Sequence, residues 1–436
     1  MARAVQSHLS CIERLSPELR QLVLIYTTDW PSLRSAVLSC PTFYSTFKSG
    51  ERWILTRFLG NVLGPDVFPE AFLAQGLRNR AISALSPESA KATEDWLATE
   101  LRKTRRAPDG LVTVEDCLDI MQLHRVVGSF VDEYVEYCKH PAIYYRGPEP
   151  STTLVNQPLT DTEKDRISRA FYLSEIVSRL HRCGAPCAQK GYVPPWDASE
   201  NTVKHPLFSA LSPWENEQLR CVDIFLEHFH LNKCVRHIHS VSLNGRALGA
   251  RRRRRLKDAL QNQTSYRLGL EGLCEASHAL EEGDSTRLVE MLLQGKTMNE
   301  VYESGALDLE FRLHEALDDL QRRQDRAPGK PDELELFLRG ASSLRGDDTD
   351  PGPRTAWTWV NTGIGWGRWA GRVDTEQEVR LFDARCSARN AALVMWDHSR
   401  LQASGLFSHG AGSWVLSTKE LTAFVRERRR LIEQRG

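Results

Sequence analysis

Residues 228–239, "HFHLNKCVRHIH", gather His228, His230, Cys234, His237 and His239. Imidazole nitrogen and thiolate sulfur are donors that zinc takes, and Cys183 and Cys187 stand upstream to complete a set. On a helix, His230, Cys234 and His237 would share one face. Ordinary packing explains the same pattern, and the spacing follows no zinc signature, so no metal site is assigned.

Phosphate chemistry has two candidate stretches. The run Arg251–Arg255, with Lys257 after it, has the charge to contact phosphates or an import receptor. It lies between Gly249 and Leu256 and lacks the interleaved aromatics of single-strand binders. A solvated basic face at a helix start is the simpler expectation, and a nucleic-acid partner is disfavoured. The second stretch, "WTWVNTGIGWGRWAG", places Gly365, Gly367 and Ala370 in the order of a dinucleotide fingerprint. No strand–turn–helix unit surrounds it, and no cofactor is assigned. Its tryptophans, Trp357, Trp359, Trp366 and Trp369, are expected in a loop folded onto the body, or as anchors of a partner surface.

Asp347, Asp348 and Asp350 lack the spacing of a calcium loop and read as a solvated turn. The chain contains no G-x-x-x-x-G-K-[ST], H-E-x-x-H or G-x-S-x-G motif. No catalytic residue is assigned. An active site built without a local motif stays open as a third reading, with the histidine cluster as its place.

The elements that position these residues are helices. The 436 residues are 41% hydrophobic and 26% charged, a globular composition of roughly two to three domains. Lysine plus arginine equals aspartate plus glutamate at 57 each, so only a local patch could favour nucleic acid or a membrane surface. The opening residues show no signal-peptide pattern, and no apolar run reaches the length of a spanning helix. Cys40, Cys117, Cys138, Cys221, Cys274 and Cys386 are scattered through helix-like text, as reduced thiols of the cytoplasm or nucleus would be.

Helix starts recur along the chain. Ser16-Pro17-Glu18 combines an N-cap, a first-turn proline and an acid. Asp29-Trp30-Pro31 and Pro41 open two further helices. Segments near 86–104 and 113–138 read as helical. Thr160–Glu163, Ser212–Glu215, Thr375–Glu378 and Ser417–Glu420 read as capping boxes. The helix after Thr160 carries a stripe of Ala170, Leu173, Val177 and Leu180, and the one after Ser212 carries Leu219, Val222, Leu226 and Phe229. Further helices are expected at 256–281, 285–294 and 299–323. Strand signals are sparse and no long repeat occurs. The expected fold is all-α, with few or no strands.

Residues 15–44 pose a packing problem. Three short helices with apolar residues on more than one face cannot bury a core unaided. The stretch resembles an F-box, the three-helix module that docks on the Skp-type adaptor of cullin–RING ubiquitin ligases. The usual leucine, proline, free position, glutamate, leucine reads here Leu15, Ser16, Pro17, Glu18, Leu19. Val23 and Leu24 match an apolar pair in the first helix, Leu33 the leucine opening the second, and Leu38 its later apolar position. Ser16 stands where proline is usual, and Thr27 where a leucine ends the first helix. The wording is similar to F-box-like segments of filamentous-fungal proteins. Those often carry a "WE.EQL" helix, here Trp214, Glu215, Glu217, Gln218 and Leu219, and an aromatic-Asp-x-x-Arg-Leu segment, here Trp396, Asp397, Arg400 and Leu401.

The resemblance implies a non-catalytic receptor. Its adaptor-binding residues would be Leu15, Pro17, Leu19, Val23, Leu33 and Leu38. Its partners would be a Skp-type adaptor, through it a cullin, and an unidentified protein client. The expected organisation is an F-box-like module over 12–60, a helical extension over 61–140, a helical interaction region over 160–326, an irregular linker over 327–355, and a Trp-rich loop with helices over 356–436. The rival expectation is a helical scaffold or nuclear interaction protein whose opening helices simply pack on residues 50–140.

Overall fold

The computed structural model describes residues 12–81, 87–102, 112–139, 157–188, 211–226, 264–294, 350–363 and 393–404. Among these residues the fold is all-α, with no strand.

The three opening helices start where local chemistry directs. In α1 (Pro17–Ile25), the Leu19 amide donates to the Ser16 hydroxyl at 3.5 Å, and Pro17 fills a first-turn position that needs no donor. In α2 (Trp30–Ser39), the Ser32 amide donates to Asp29 Oδ1 at 2.8 Å, which holds that carboxyl below its usual range. Helix α3 (Pro41–Leu63) runs on past the expected module boundary at 60 and bends at Gly50. A Cβ on Gly50 would come within 2.9 Å of Gln21 Nε2, the end of a flexible α1 side chain that lies over the bend.

Helices α4 (Phe68–Ala81), α5 (Pro87–Arg102) and α6 (Val114–Lys139) follow. Thr113 caps α6 reciprocally with Asp116, and the Val112 amide reaches back to Thr56 Oγ1 of α3 at 3.2 Å. The centre of the molecule is α7 (Asp161–Ala188). It starts at the anticipated capping box: the Thr160 amide donates to Glu163 Oε2 at 3.0 Å, and the Glu163 amide to Thr160 Oγ1 at 3.1 Å. Helices α4, α5, α6, α8 (Pro213–Phe225) and α9 (Thr264–Glu281) pack around it.

A single apolar stripe is therefore the wrong description of α7. Every residue from 166 to 180 is buried, including Arg166, Arg169, Ser174, Glu175 and Arg179. Five surrounding helices leave no face for water, so its charges must find partners inside the protein. Arg179 Nε donates to Glu175 Oε1 at 2.6 Å, and its Nη1 to the Ala74 carbonyl at 2.6 Å. Helix α9 breaks at Gly269 (φ 65°), a left-handed position that glycine adopts without strain. The next amide, Leu270 N, donates to Glu175 Oε2 at 2.7 Å.

Helix α10 (Ser285–Gln294) follows α9. Helix α11 (Gly352–Gly363), a 3-10 turn (Leu393–Met395) and α12 (His398–Ala403) close the fold against α8 and the start of α7. Two expectations are corrected here. "DPGPR" opens a helix instead of ending the linker at 355, because proline and glycine are tolerated in a first turn. Trp357 and Trp359 thus lie in α11 and not in a loop. Cys117, Cys138 and Cys221 are buried and unbridged, and burial pushes the Cys117 thiol up to about 12, which suits an inert packing residue. The expected helices at 299–323 and after Thr375 and Ser417 lie outside the described residues.

Candidate docking surface and the clamp behind it

Helix α1 carries apolar side chains on opposite faces. Leu24 and Ile25 point inward and join one continuous core that runs from Leu24 to Leu401. Leu19, Leu22, Val23 and Tyr26 recur at i, i+3, i+4 and i+7 and face solvent, with Tyr26 72% exposed. Leu38 of α2 and Tyr44 of α3 are also exposed. Large apolar residues that share a face and meet water mark an interaction surface more often than chance exposure does.

The six residues of the F-box resemblance divide accordingly. Leu19, Val23, Leu38 and Pro17 are exposed, and Leu15 is half-buried. Leu33 is corrected: it is 1% exposed, packed inside with Val37, and cannot touch a partner directly. Leu22 and Tyr26 belong to the surface although neither is a position of the resemblance. The i+3 and i+7 spacing from Leu19 was the signal for them.

Behind this module, the start of α7 holds the C-terminal segments through buried ionic groups. Arg400 of α12 grips Glu163 with two hydrogen bonds, Nε to Oε1 at 2.6 Å and Nη2 to Oε2 at 2.6 Å. It also donates to the carbonyls of Gln157 at 3.0 Å and Pro158 at 2.6 Å. Arg166 donates to Asp350 Oδ2 at 2.8 Å, Asp397 Oδ1 at 2.9 Å and the Met395 carbonyl at 3.0 Å. The Thr160 hydroxyl donates to Asp397 Oδ2 at 2.6 Å, and Gln218 Nε2 to the Val394 carbonyl at 2.9 Å. Arg169 pairs with Glu215, the α8 capping-box acid, and lies 3.6 Å from Glu70 of α4.

Asp350 is corrected as well. It is no solvated turn residue but an Arg166 partner that also accepts from the His398 amide at 3.1 Å. Burial and the Asp397 side chain raise its pKa. Burial opposes the Asp397 charge, but the Thr160 hydroxyl and Arg166 outweigh it and keep that carboxyl low. A Cβ on Gly352 would lie 2.5 Å from His398 N and 2.6 Å from the Trp396 carbonyl oxygen, both backbone atoms that cannot swing away. Gly352→Ala is expected to cost about 1–3 kcal/mol through forced displacement of the backbone there. A urea midpoint equal to that of the unaltered protein would contradict this close approach.

Asp165, next to Arg166, faces Gly64 at the end of α3, where a Cβ would sit 3.5 Å from Oδ2. Burial, then the neighbouring Asp66 and Asp161, push its pKa up to about 6, against Arg169 and Lys164. A raised carboxyl pKa means the folded state holds the proton more tightly than the unfolded chain. Its stabilising contribution is full below pH 4 and is lost as pH rises through about 6. Asp165→Asn is therefore expected to stabilise the protein at pH 7.5, by about 1 kcal/mol once solvent screening of this half-exposed group is allowed for. At pH 4 the gain should vanish. Thermal melting at both pH values reads the difference.

Trp357 is 1% exposed, so it is a core residue and not a partner surface. Trp366, Trp369, the histidine cluster and Arg251–Arg255 lie outside the described residues. Cys183 and Cys187 fall in the last turns of α7. Among the described residues, no group of three or more His, Cys, Asp or Glu is placed to hold a metal ion, and no helix is long and apolar enough to cross a membrane. Comparison with protein-family models, curated proteins and solved structures gave no match to this chain.

Proposed function

We propose that the chain is an F-box-like receptor, which docks a Skp-type adaptor, and through it a cullin, by its N-terminal helices and holds a protein client with its helical body. The observation that carries the reading is the outward apolar stripe of α1, Leu19, Leu22, Val23 and Tyr26, on a helix already anchored from its other side. A protein partner seated there would remove this surface from water at about 25 cal/mol per Å² of apolar area. The work done is recruitment: tethering a client beside a charged conjugating enzyme raises its effective concentration to roughly millimolar. That role requires no catalytic side chain and no cofactor in this chain.

Co-expression of the full chain with a Skp-type adaptor, followed by co-purification, tests the proposal. A stable complex supports it. A folded chain that ignores the adaptor favours the second reading, a helical scaffold without a ligase role. The shared core is what recommends that alternative, since it fuses the opening helices to the body as one packed unit.

A further inference from the structure

The junction between α7 and the C-terminal segments is held at its edge by an exposed hydroxyl. Thr160 is exposed, and the residues just before it, 157–159, are non-helical. Its Oγ1 accepts from the Glu163 amide at 3.1 Å and donates to Asp397 Oδ2 at 2.6 Å. Two carboxylates flank it: Asp397, which accepts from the hydroxyl, and Glu163, which accepts from the Thr160 amide. The two arginines of the clamp are already engaged, Arg166 by Asp350 and Asp397, and Arg400 by Glu163 and two carbonyls. Acids also follow the hydroxyl in sequence, at Asp161, Glu163 and Asp165. A protein kinase with a basic substrate cleft is complementary in charge to a hydroxyl followed by acids.

We propose that Thr160 is a phosphorylation site for an acid-directed protein kinase, and that its phosphate releases the segment 393–404 from the start of α7. In the transfer, Oγ1 attacks the γ-phosphorus of magnesium-bound ATP. An O–P bond forms, the bond to the β-phosphate oxygen breaks, ADP leaves, and the hydroxyl proton passes to the kinase base. The phosphothreonine can no longer donate to Asp397. It carries close to two negative charges in beside the carboxylates of Asp397 and Glu163, and its oxygens need the space that Asp397 occupies. Attraction becomes repulsion.

Glu163 is fully buried in the closed form, so the kinase must act on a conformer in which this junction has opened locally. Phosphate added there prevents reclosure, so the modification traps a minor state. Release uncovers Trp396 and Leu401, both now buried, and the side of α11 that packs on this segment. This inference does not depend on the adaptor reading.

The test uses the full chain, incubated with an acid-directed serine/threonine kinase and Mg–ATP. Peptide mass analysis locates the phosphate, and amide hydrogen exchange is then followed across 393–404. Phosphate on residue 160 is expected in the unaltered protein and in Thr160→Ser, but not in Thr160→Val. Exchange in 393–404 should accelerate about tenfold or more after modification, with α9, which does not pack on that segment, unchanged. Absence of phosphate at residue 160 overturns the proposal. So does a phosphorylated protein whose exchange is unchanged, or slowed because Arg166 and Arg400 capture the new group.

Discussion

Leu19→Asp is expected to abolish capture of a Skp-type adaptor while leaving the protein folded. Leu19 is 49% exposed and opens the stripe on the outer face of α1, opposite Leu24 and Ile25. In the free protein the new carboxylate would sit in water, where surface substitutions change stability by about 0.5 kcal/mol or less. In a docked complex it would be buried without a partner, at a cost of several kcal/mol, which is a loss of about 100-fold or more in affinity. Leu33→Asp provides the contrast. Leu33 is inside, so the charge should disrupt folding itself and remove binding only as a consequence. Circular dichroism and titration with purified adaptor separate the two. Full binding by a well-folded Leu19→Asp protein would remove α1 from the interface and the proposed function with it.

Arg400→Ala should produce the largest loss of stability, about 3–5 kcal/mol, because it strands a buried charge. Glu163 is fully buried, and its carboxylate would keep only the Thr160 and Asp397 amides as donors, at 3.0 and 2.9 Å. The carbonyls of Gln157 and Pro158 would lose their donor at the same time. The double variant Glu163→Gln with Arg400→Ala is expected to recover part of the loss. Glutamine is neutral and its single carbonyl oxygen still accepts from one of the two amides, while its NH2 faces the other, so the recovery is incomplete. Urea unfolding of the single and double variants measures this, and an Arg400→Ala protein within 1 kcal/mol of the unaltered one would show the pair to be dispensable.

Wherever a residue's partner lies within one helical turn, the sequence could be read directly. The caps at Ser16 and Asp29 and the boxes at Thr160–Glu163 and Ser212–Glu215 are all present in the structure. Both box glutamates nevertheless have second partners that no local pattern announces, Arg400 for Glu163 and Arg169 for Glu215. The segment Trp396, Asp397, Arg400 and Leu401 stood out only as a resemblance, yet it supplies half of the clamp.

Local chemistry in the chain thus determined where the helices begin, that the fold is helical, and that α1 carries more apolar surface than one face can bury. It did so because capping bonds and proline constraints act over three or four residues. Tertiary structure alone decided which leucines meet water. Leu19 and Leu33 are the same residue type, both at positions of the F-box resemblance, and only the way α1 and α2 pack against α3 separates them. It also decided that the charges of α7 are internal. Their partners in the C-terminal segments lie 184 to 237 residues away in sequence, and a helix surrounded by five others has no polar face to turn toward solvent.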